Sequence, residues 1–348
     1  MTQLPVFLPW QYDTAHAWLG ARERFAHAWL IHGLAGIGKR QFALAAAASL
    51  LCEQPERGLA CGHCTACQWF ASGNHPDFRR IRPDAVALEE GAGQDDADAT
   101  ASGTGKTPSA EIRVDQLRSL STWFNTATHR GGWRVAALYP AQALNTISAN
   151  ALLKVLEEPP EHTVFLIVAD APDRLLPTLV SRCRRLPLPV PRREESTGWL
   201  ESEGLEDPEQ WLASAGGAPL LALRNARAAD NPCPDWLSRF LDILADGSGA
   251  DIGPLADMLD KTPPEEWLDG LQRLFMDLAL ASARVPLRYY PAHEDPIRAI
   301  AGRASLARLT QAGRWLATQR RVARHPLNAR LFVHATLDRV ALACRPPA

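Results

Sequence analysis

Apolar and polar positions follow two regimes along this chain. In the first half, short apolar runs at Ala28–Ile31, Arg134–Leu138 and Thr163–Ala169 are bounded by Gly, Pro or Asp. Between them lie segments with apolar residues at helical spacing, such as Thr146–Glu158. Alternating short buried runs and amphipathic helices predict an α/β fold on a parallel sheet. Ahead of the first run, Ala15–Ala28 predicts an amphipathic helix with Trp18, Leu19, Phe25 and Ala26 turned inward. After it come Gly33-Leu34-Ala35-Gly36-Ile37-Gly38-Lys39-Arg40 and then Gln41–Leu51, rich in Ala and Leu and free of Gly and Pro. Strand, glycine-rich turn and helix, in that order, are what a loop that cradles phosphate requires.

The second regime begins after Pro187-Leu188-Pro189-Val190-Pro191, where only helical periodicity remains. Helices are predicted at Glu194–Glu203, Pro208–Ser214, Pro219–Ala228, Trp236–Ala245, Pro264–Ala283, Asp295–Ala301, Leu306–Arg324 and Asn328–Cys344. The proline run marks one domain boundary and Asn231-Pro232 a second, dividing the chain into 1–190, 191–231 and 232–348. Arg298–Arg339 carries nine Arg and one acid, Asp338, and reads as a solvated or partner-facing helical surface rather than a DNA patch.

One stretch of the first half fits neither regime. Residues 84–98 hold six acids (Asp84, Glu89, Glu90, Asp95, Asp96 and Asp98) and no Lys or Arg, and 99–108 add small polar residues. Same-sign charge with few apolar groups predicts a flexible insertion at about 84–108. Its Gly103-Thr104-Gly105-Lys106-Thr107 imitates a phosphate loop, but Thr100 stands where the first glycine belongs and no strand precedes it.

Composition narrows the class. With 348 residues, 46% hydrophobic and 22% charged, two or three folded domains fit better than a disordered or fibrous chain. A formal charge of −2 supplies no global field for nucleic acid. No run is long enough to span a membrane, and Met1–Asp13 lacks a basic, cleavable leader, so a cytoplasmic location is expected. Seven cysteines, four of them crowded into 52–67, suggest reduced thiols that hold a metal rather than a disulfide framework.

Those four carry the strongest chemical signal. Cys61, Cys64 and Cys67 form two overlapping C-x-x-C steps, and Cys52 at the end of the preceding helix can supply a fourth corner. Four thiolates suit one tetrahedral, structural Zn²⁺ with no open position for water. An iron–sulfur cluster of the bacterial type would want Cys followed by Pro where Ala71 and Ser72 stand; free thiols are the remaining alternative.

The glycine-rich turn keeps Gly33, Gly38 and Lys39 but ends in Arg40, where Ser or Thr would hold Mg²⁺. The strand Val135–Leu138 runs into Tyr139-Pro140-Ala141-Gln142, with no carboxylate to complete a metal site or orient water. Backbone amides and Lys39 could hold phosphate weakly, but productive ATP binding and hydrolysis are not expected.

In these features and others the chain resembles the delta-prime family of bacterial DNA polymerase III clamp-loader subunits, within the AAA+ superfamily. The similar stretches are Pro9-Trp10, the glycine-rich turn, the four cysteines, Asn74-His75-Pro76-Asp77-Phe78, Ile112–Arg118, Asn150–Pro160 and Leu179-Val180-Ser181-Arg182-Cys183. They span most of residues 9–190, and the Leu-Glu-Glu-Pro-Pro run and the Ser-Arg-Cys triplet are the most specific. The resemblance implies an AAA+ domain with an inserted zinc module, a small helical lid at 191–231 and an all-α collar at 232–348. It implies a hetero-pentamer with motor subunits (gamma or tau) and a delta subunit, acting on the sliding clamp and primer-template DNA. It also implies that Arg182 reaches a neighbouring subunit's ATP site as an arginine finger. A local structural pairing is the other reading of Arg182, and Lys154 with Glu157 reads as a helix-surface pair that packs or faces DNA. The motor pattern is broken at Arg40, at Tyr139-Pro140 and at Leu220, where a phosphate-sensing arginine would sit.

Two rival functions are an active AAA+ motor, which the missing carboxylates oppose, and a zinc-dependent nucleic-acid module. The second is opposed by a turn (Gly62-His63, Thr65-Ala66) poor in basic and aromatic residues. Nothing in the chain suggests a polymerase site, so nucleotidyl transfer would belong to the complex.

Overall fold

The computed structural model describes residues 3–22, 25–91, 107–124, 126–129, 132–246, 251–323 and 328–346. The chain divides into two compact units, Met1–Glu195 and Ser196–Ala348. The division falls a few residues beyond the expected 190/191 boundary, inside a helix that opens after the proline run.

In the first unit the elements run α1 (Tyr12–Gly20), β1 (Ala28–His32), α2 (Lys39–Leu51), α3 (Thr65–Ala71), β2 (Phe78–Ile81) and α4 (Asp84–Glu89). They continue with α5 (Val114–Phe124), β3 (Arg134–Leu138), α6 (Thr146–Glu157), β4 (Thr163–Ala169), α7 (Pro177–Ser181) and β5 (Arg184–Pro187). The five strands form one parallel sheet in the order β2-β3-β4-β1-β5. Every residue of β3 and β4 is buried. Parallel strands covered on both faces need continuous apolar runs, which is why these two were legible in advance. The Ala-rich α2 buries Ala43 and Ala45–Ala48 and packs against β3 and β4. Side chains that small let the helix backbone come close to the sheet. On the other side α5, α6 and α7 close a core around Leu117, Leu120, Leu152, Phe165 and Leu179.

The structure corrects three expectations for this unit. The first helix is Tyr12–Gly20, not Ala15–Ala28; Trp18 and Leu19 are buried as expected. Phe25 lies beyond the helix and stacks on Trp18 at 4.7 Å, and Ala28 already belongs to β1. Strands β2 and β5 escape a hydrophobicity reading because they carry adjacent arginines, Arg79-Arg80 and Arg184-Arg185. Finally, the acidic segment is not irregular from its start. Asp84–Glu89 is helical, while the rest of the insertion, with the Gly103–Thr107 imitation, falls largely outside the described residues.

The second unit is helical throughout its described residues. Helix α8 (Arg193–Ser202) leads into it, followed by α9 (Pro208–Ser214), α10 (Pro219–Ala228), α11 (Asp235–Asp246) and α12 (Gly253–Leu259). Then come α13 (Pro264–Ser282), α14 (Glu294–Arg303), α15 (Leu306–Val322) and α16 (Ala329–Ala343). Helix α12 was unexpected: Gly253-Pro254 reads as a breaker, but the proline occupies the first turn, where its missing N–H costs nothing. Residues 200–223 close a small core around Leu200 and Trp211. A separate, larger one gathers around Trp267, Phe240, Phe275 and Leu316. Each large apolar side chain fully buried there contributes roughly 1.5–3 kcal/mol. Within it Asp277 is fully buried and accepts the backbone N–H groups of Arg288 (2.8 Å), Tyr289 (3.0 Å) and Tyr290 (2.8 Å), fixing the turn after α13. Burial pushes its carboxyl upward, and those three amides pull it back. No described helix is long and apolar enough to cross a membrane.

Candidate functional site

The glycine-rich turn follows the carboxyl end of β1, beside β4, where the strand order of the sheet reverses direction. That crevice is the usual ligand position in open parallel sheets. Gly38 caps α2 with φ of 88°, a left-handed conformation suited to glycine. At Gly33 a Cβ would stand 2.6 Å from the Leu188 carbonyl oxygen. The turn is gripped from the N-terminal segment: Trp10 Nε1 donates to the Ile37 carbonyl at 3.0 Å, and the buried Gln11 amide donates to the Gly38 carbonyl at 2.9 Å.

Lys39, however, does not face an open crevice. Its side chain is 3% exposed, its ammonium donates to the Leu34 carbonyl at 2.5 Å, and it pairs with Asp170 just beyond β4 at 2.5 Å. Burial lowers the Lys39 pKa and Asp170 raises it again, the net shift being downward. Gln142 donates to the second Asp170 oxygen at 3.0 Å and holds it in place.

Arg40 and Tyr139, the two positions where metal ligands are lacking, meet at one carboxylate. Glu90, immediately after α4, lies 3.2 Å from Arg40 Nη1 and 3.0 Å from Arg82 Nε, and accepts the Tyr139 hydroxyl at 3.2 Å. The two arginine contacts are of ion-pair distance. Tyr139 is 2% exposed, and burial, then the Glu90 charge, push its hydroxyl pKa upward. Sequence reasoning missed Glu90 and Asp170. Glu90 was counted as part of a solvated acidic run. Pro83-Asp84 ahead of Ala, Val and Leu was the overlooked signal, because it is an ordinary helix start.

At the other end of α2, Cys52 meets Cys61, Cys64 and Cys67, and the four sulfurs lie within 4.8 Å of one another. Three separations are 3.5 Å (Cys52–Cys61), 3.8 Å (Cys52–Cys64) and 4.0 Å (Cys61–Cys67). A tetrahedron with about 2.3 Å from metal to sulfur has edges of about 3.8 Å, so the donor set fits a tetrahedral ion. Backbone amides are aimed at the sulfurs: Cys61 N–H to Cys52 Sγ (3.3 Å), Cys64 N–H to Cys61 Sγ (3.4 Å) and Cys67 N–H to Cys64 Sγ (3.5 Å). Burial opposes ionisation of Cys64. The amides of Cys67 and Glu53, with the neighbouring thiols, outweigh it and bring the thiol to about 6. Burial drives Cys52 and Cys67 upward.

Arg182 stands apart from both ends of α2. It caps α7, is 37% exposed, pairs with Glu157 at 2.6 Å and donates to the Thr178 carbonyl at 3.0 Å. Glu157 thus belongs to Arg182 rather than to Lys154, as helix spacing alone had implied. Arg184 pairs in register with Trp29 near the start of β1, whereas the glycine-rich turn follows the far end of that strand. A five-residue parallel strand is about 16 Å long, so Arg182 and Lys39 lie at opposite ends of the sheet. The neighbouring Cys183 is buried, which pushes its thiol up to about 12 and leaves it unreactive.

Comparison with known proteins places this arrangement. Residues 19–192 match the family model described as "DNA polymerase III, delta subunit". The chain is 32% identical over 250 residues to DNA polymerase III subunit delta' of Escherichia coli K12, covering 67% of this chain and 68% of that one. The chain belongs to the delta' family of DNA polymerase III subunits. The delta' subunit of Pseudomonas aeruginosa is 40% identical over 220 residues, 62% of this chain, which spans 60% of that relative's length. A different subunit, tau of E. coli, is 30% identical over 226 residues, covering 65% of this chain and 30% of tau. The family-model match covers the sheet, the cysteine tetrad, Glu90 and Arg182, and ends at residue 192, before the second unit.

Proposed function

We propose that this chain is a non-motor subunit of a DNA polymerase III clamp loader, working in the cytoplasm. In this reading it assembles with motor subunits (gamma or tau) and a delta subunit into a hetero-pentamer. It helps place the sliding clamp on primer-template DNA. Residues 191–231 act as a lid and 232–348 as an oligomerising collar. The cysteine tetrad holds one structural Zn²⁺, supplied for stability and not for chemistry, since four thiolates leave no position for water. The chain turns over no ATP itself: Lys39 is committed to Asp170, and Arg40 and Tyr139 stand where metal ligands are needed. Arg182 completes the ATP site of a neighbouring motor subunit.

The observation that carries this reading is the position of Arg182 at the end of the sheet opposite to the chain's own phosphate turn. A guanidinium there cannot serve this chain's Lys39 turn, and phosphoryl transfer is accelerated by a guanidinium supplied from another chain. The Glu157 contact favours a second reading, in which Arg182 only ties α7 to α6. With side chains 37% and 52% exposed, that pair is of the solvent-screened kind worth at most about 1 kcal/mol, so a partner's phosphate can compete for the guanidinium. The deciding experiment assembles the loader with wild-type or Arg182→Ala subunit and follows pre-steady-state ATP hydrolysis and clamp loading. Loss at one motor site supports the trans role, and wild-type rates at every site refute it.

A further inference from the structure

The charge cluster around Glu90 has no part in clamp loading as proposed above, and it is too well built to be a solvated surface. The Glu90 side chain is 14% exposed and that of Arg82 4%, so both charges are largely withdrawn from water. Such groups persist only where opposite charge and hydrogen-bond donors surround them. Glu90 is delivered by α4, whose base is pinned on both flanks. Ala85 N–H donates to the Ser109 carbonyl at 3.1 Å, and Arg113 pairs with Asp84 at 3.1 Å. The segment therefore leaves β2, turns over the carboxyl end of the sheet, and sets Glu90 against the first turn of α2 and the end of β3.

We propose that residues 84–91 form an autoinhibitory plug, in which Glu90 stands in for a phosphate group and occupies Arg40 at the end of the glycine-rich turn from within the chain. The plug rests on the reading of Gly33–Arg40 as a degenerate phosphate turn and is independent of the clamp-loading role.

Position by position, the cluster replaces a metal–phosphate site. Arg40 supplies positive charge where a hydroxyl would have held Mg²⁺. The carboxylate absent from the end of β3 arrives instead on α4, anchored by Tyr139, which occupies that strand end. Guanidinium and carboxylate attract one another at ion-pair distance, as they would attract phosphate and metal. Lys39 is matched in the same way by Asp170. Arg40 is half-exposed, so an incoming anion competes with Glu90 for its guanidinium. Relieved of Glu90, the Arg40 guanidinium in the first turn of α2 has the chemistry of a phosphate subsite that needs no divalent cation.

The test uses the full chain carrying Glu90→Gln, which keeps the shape and removes the charge, with inorganic pyrophosphate as the probe. Amide exchange of residues 85–91 is expected to quicken about tenfold while β3 and β4 keep wild-type protection. Pyrophosphate affinity, measured calorimetrically in EDTA, is expected to rise about tenfold over wild type. Arg40→Ala, at a half-exposed side chain, should quicken the same amides and decides the matter if the Gln variant does not fold. Unchanged exchange at 85–91 in a folded variant overturns the plug. So does loosened exchange with unchanged pyrophosphate affinity, because the segment would then be held by Glu90 without blocking anything. Neither measurement involves the assembled loader, so failure here leaves the Arg182 experiment standing, and the reverse.

Discussion

Helix α2 joins two constellations that treat charge in contrary ways. At its N-terminal end three cations meet two carboxylates of the same chain: Lys39 pairs with Asp170, and Arg40 and Arg82 share Glu90. At its C-terminal end Cys52 joins three more thiols, like groups that gain little from one another. The first end needs no ligand to draw its side chains together, because cations and carboxylates already attract one another there. The second brings together donors of one kind, at separations near a tetrahedral edge, and gains its stability only when an ion is shared among them. Retained motif residues are thus a poor guide to a retained site. Lys39 survives in sequence but is spent on an internal carboxylate, whereas the cysteines survive with their sulfurs converging.

The largest expected effect lies at the cysteine end. Protein purified without chelator should contain one zinc per chain, and Cys61→Ser should lose it and melt at lower temperature. Structural zinc in small domains is worth roughly 10–16 kcal/mol of apparent binding free energy, so loss of a ligand should destabilise this region markedly. Elemental analysis that finds no metal would end the contrast between the two ends of α2.

Arg182→Ala comes next. Removing an arginine finger typically costs about 10³–10⁵ in rate, so hydrolysis at the adjoining motor site should fall steeply while folding and zinc content stay unchanged. Arg182→Lys should restore it only in part, because an ammonium lacks the planar fork. Glu157→Gln sharpens the result: it should leave hydrolysis near wild type, since the carboxylate only parks the guanidinium. Equal losses in Arg182→Ala and Glu157→Gln would favour the local structural reading.

At the N-terminal end of α2, Asp170→Asn strands a buried ammonium and should destabilise the first unit by about 1–3 kcal/mol in urea unfolding. Combining it with Lys39→Met should regain most of that loss, because the charge that needed a partner is gone. A single variant as stable as wild type would mean that Lys39 is not spent on Asp170.

The smallest effect concerns His32 at the end of β1. Burial, then Arg185 and Lys39, hold its pKa below 6.5. The unfolded chain therefore takes up the proton first, and stability from this group, complete above pH 6.5, is lost as pH falls toward the lowered folded value. NMR titration should place His32 below 6.5, and Arg185→Ala should move it back upward. A His32 that titrates at its ordinary value would show that neither burial nor the neighbouring cations act on it.

Much was legible before any coordinates, for reasons that differ by element. Strands β3 and β4 were read with their observed limits because burial on both faces leaves only apolar choices. The cysteine tetrad was read from spacing, since two C-x-x-C steps bring their sulfurs together within one turn of chain. The absence of metal ligands at Arg40 and Tyr139 was a statement about residue types and needed no fold. Contacts between residues distant in sequence were another matter. Glu90 reaching Arg40, Asp170 reaching Lys39 and Glu157 reaching Arg182 join positions 50, 131 and 25 residues apart. No local periodicity encodes such pairs; the parallel sheet does, by bringing the ends of separate strands side by side. The amino-acid order by itself determined which side chains are present at each position: four closely spaced thiols, a lysine in a glycine-rich turn, and no carboxylate at the end of β3. Only the tertiary structure decided which charge neutralises which, because that depends on distance through space and on exclusion of water.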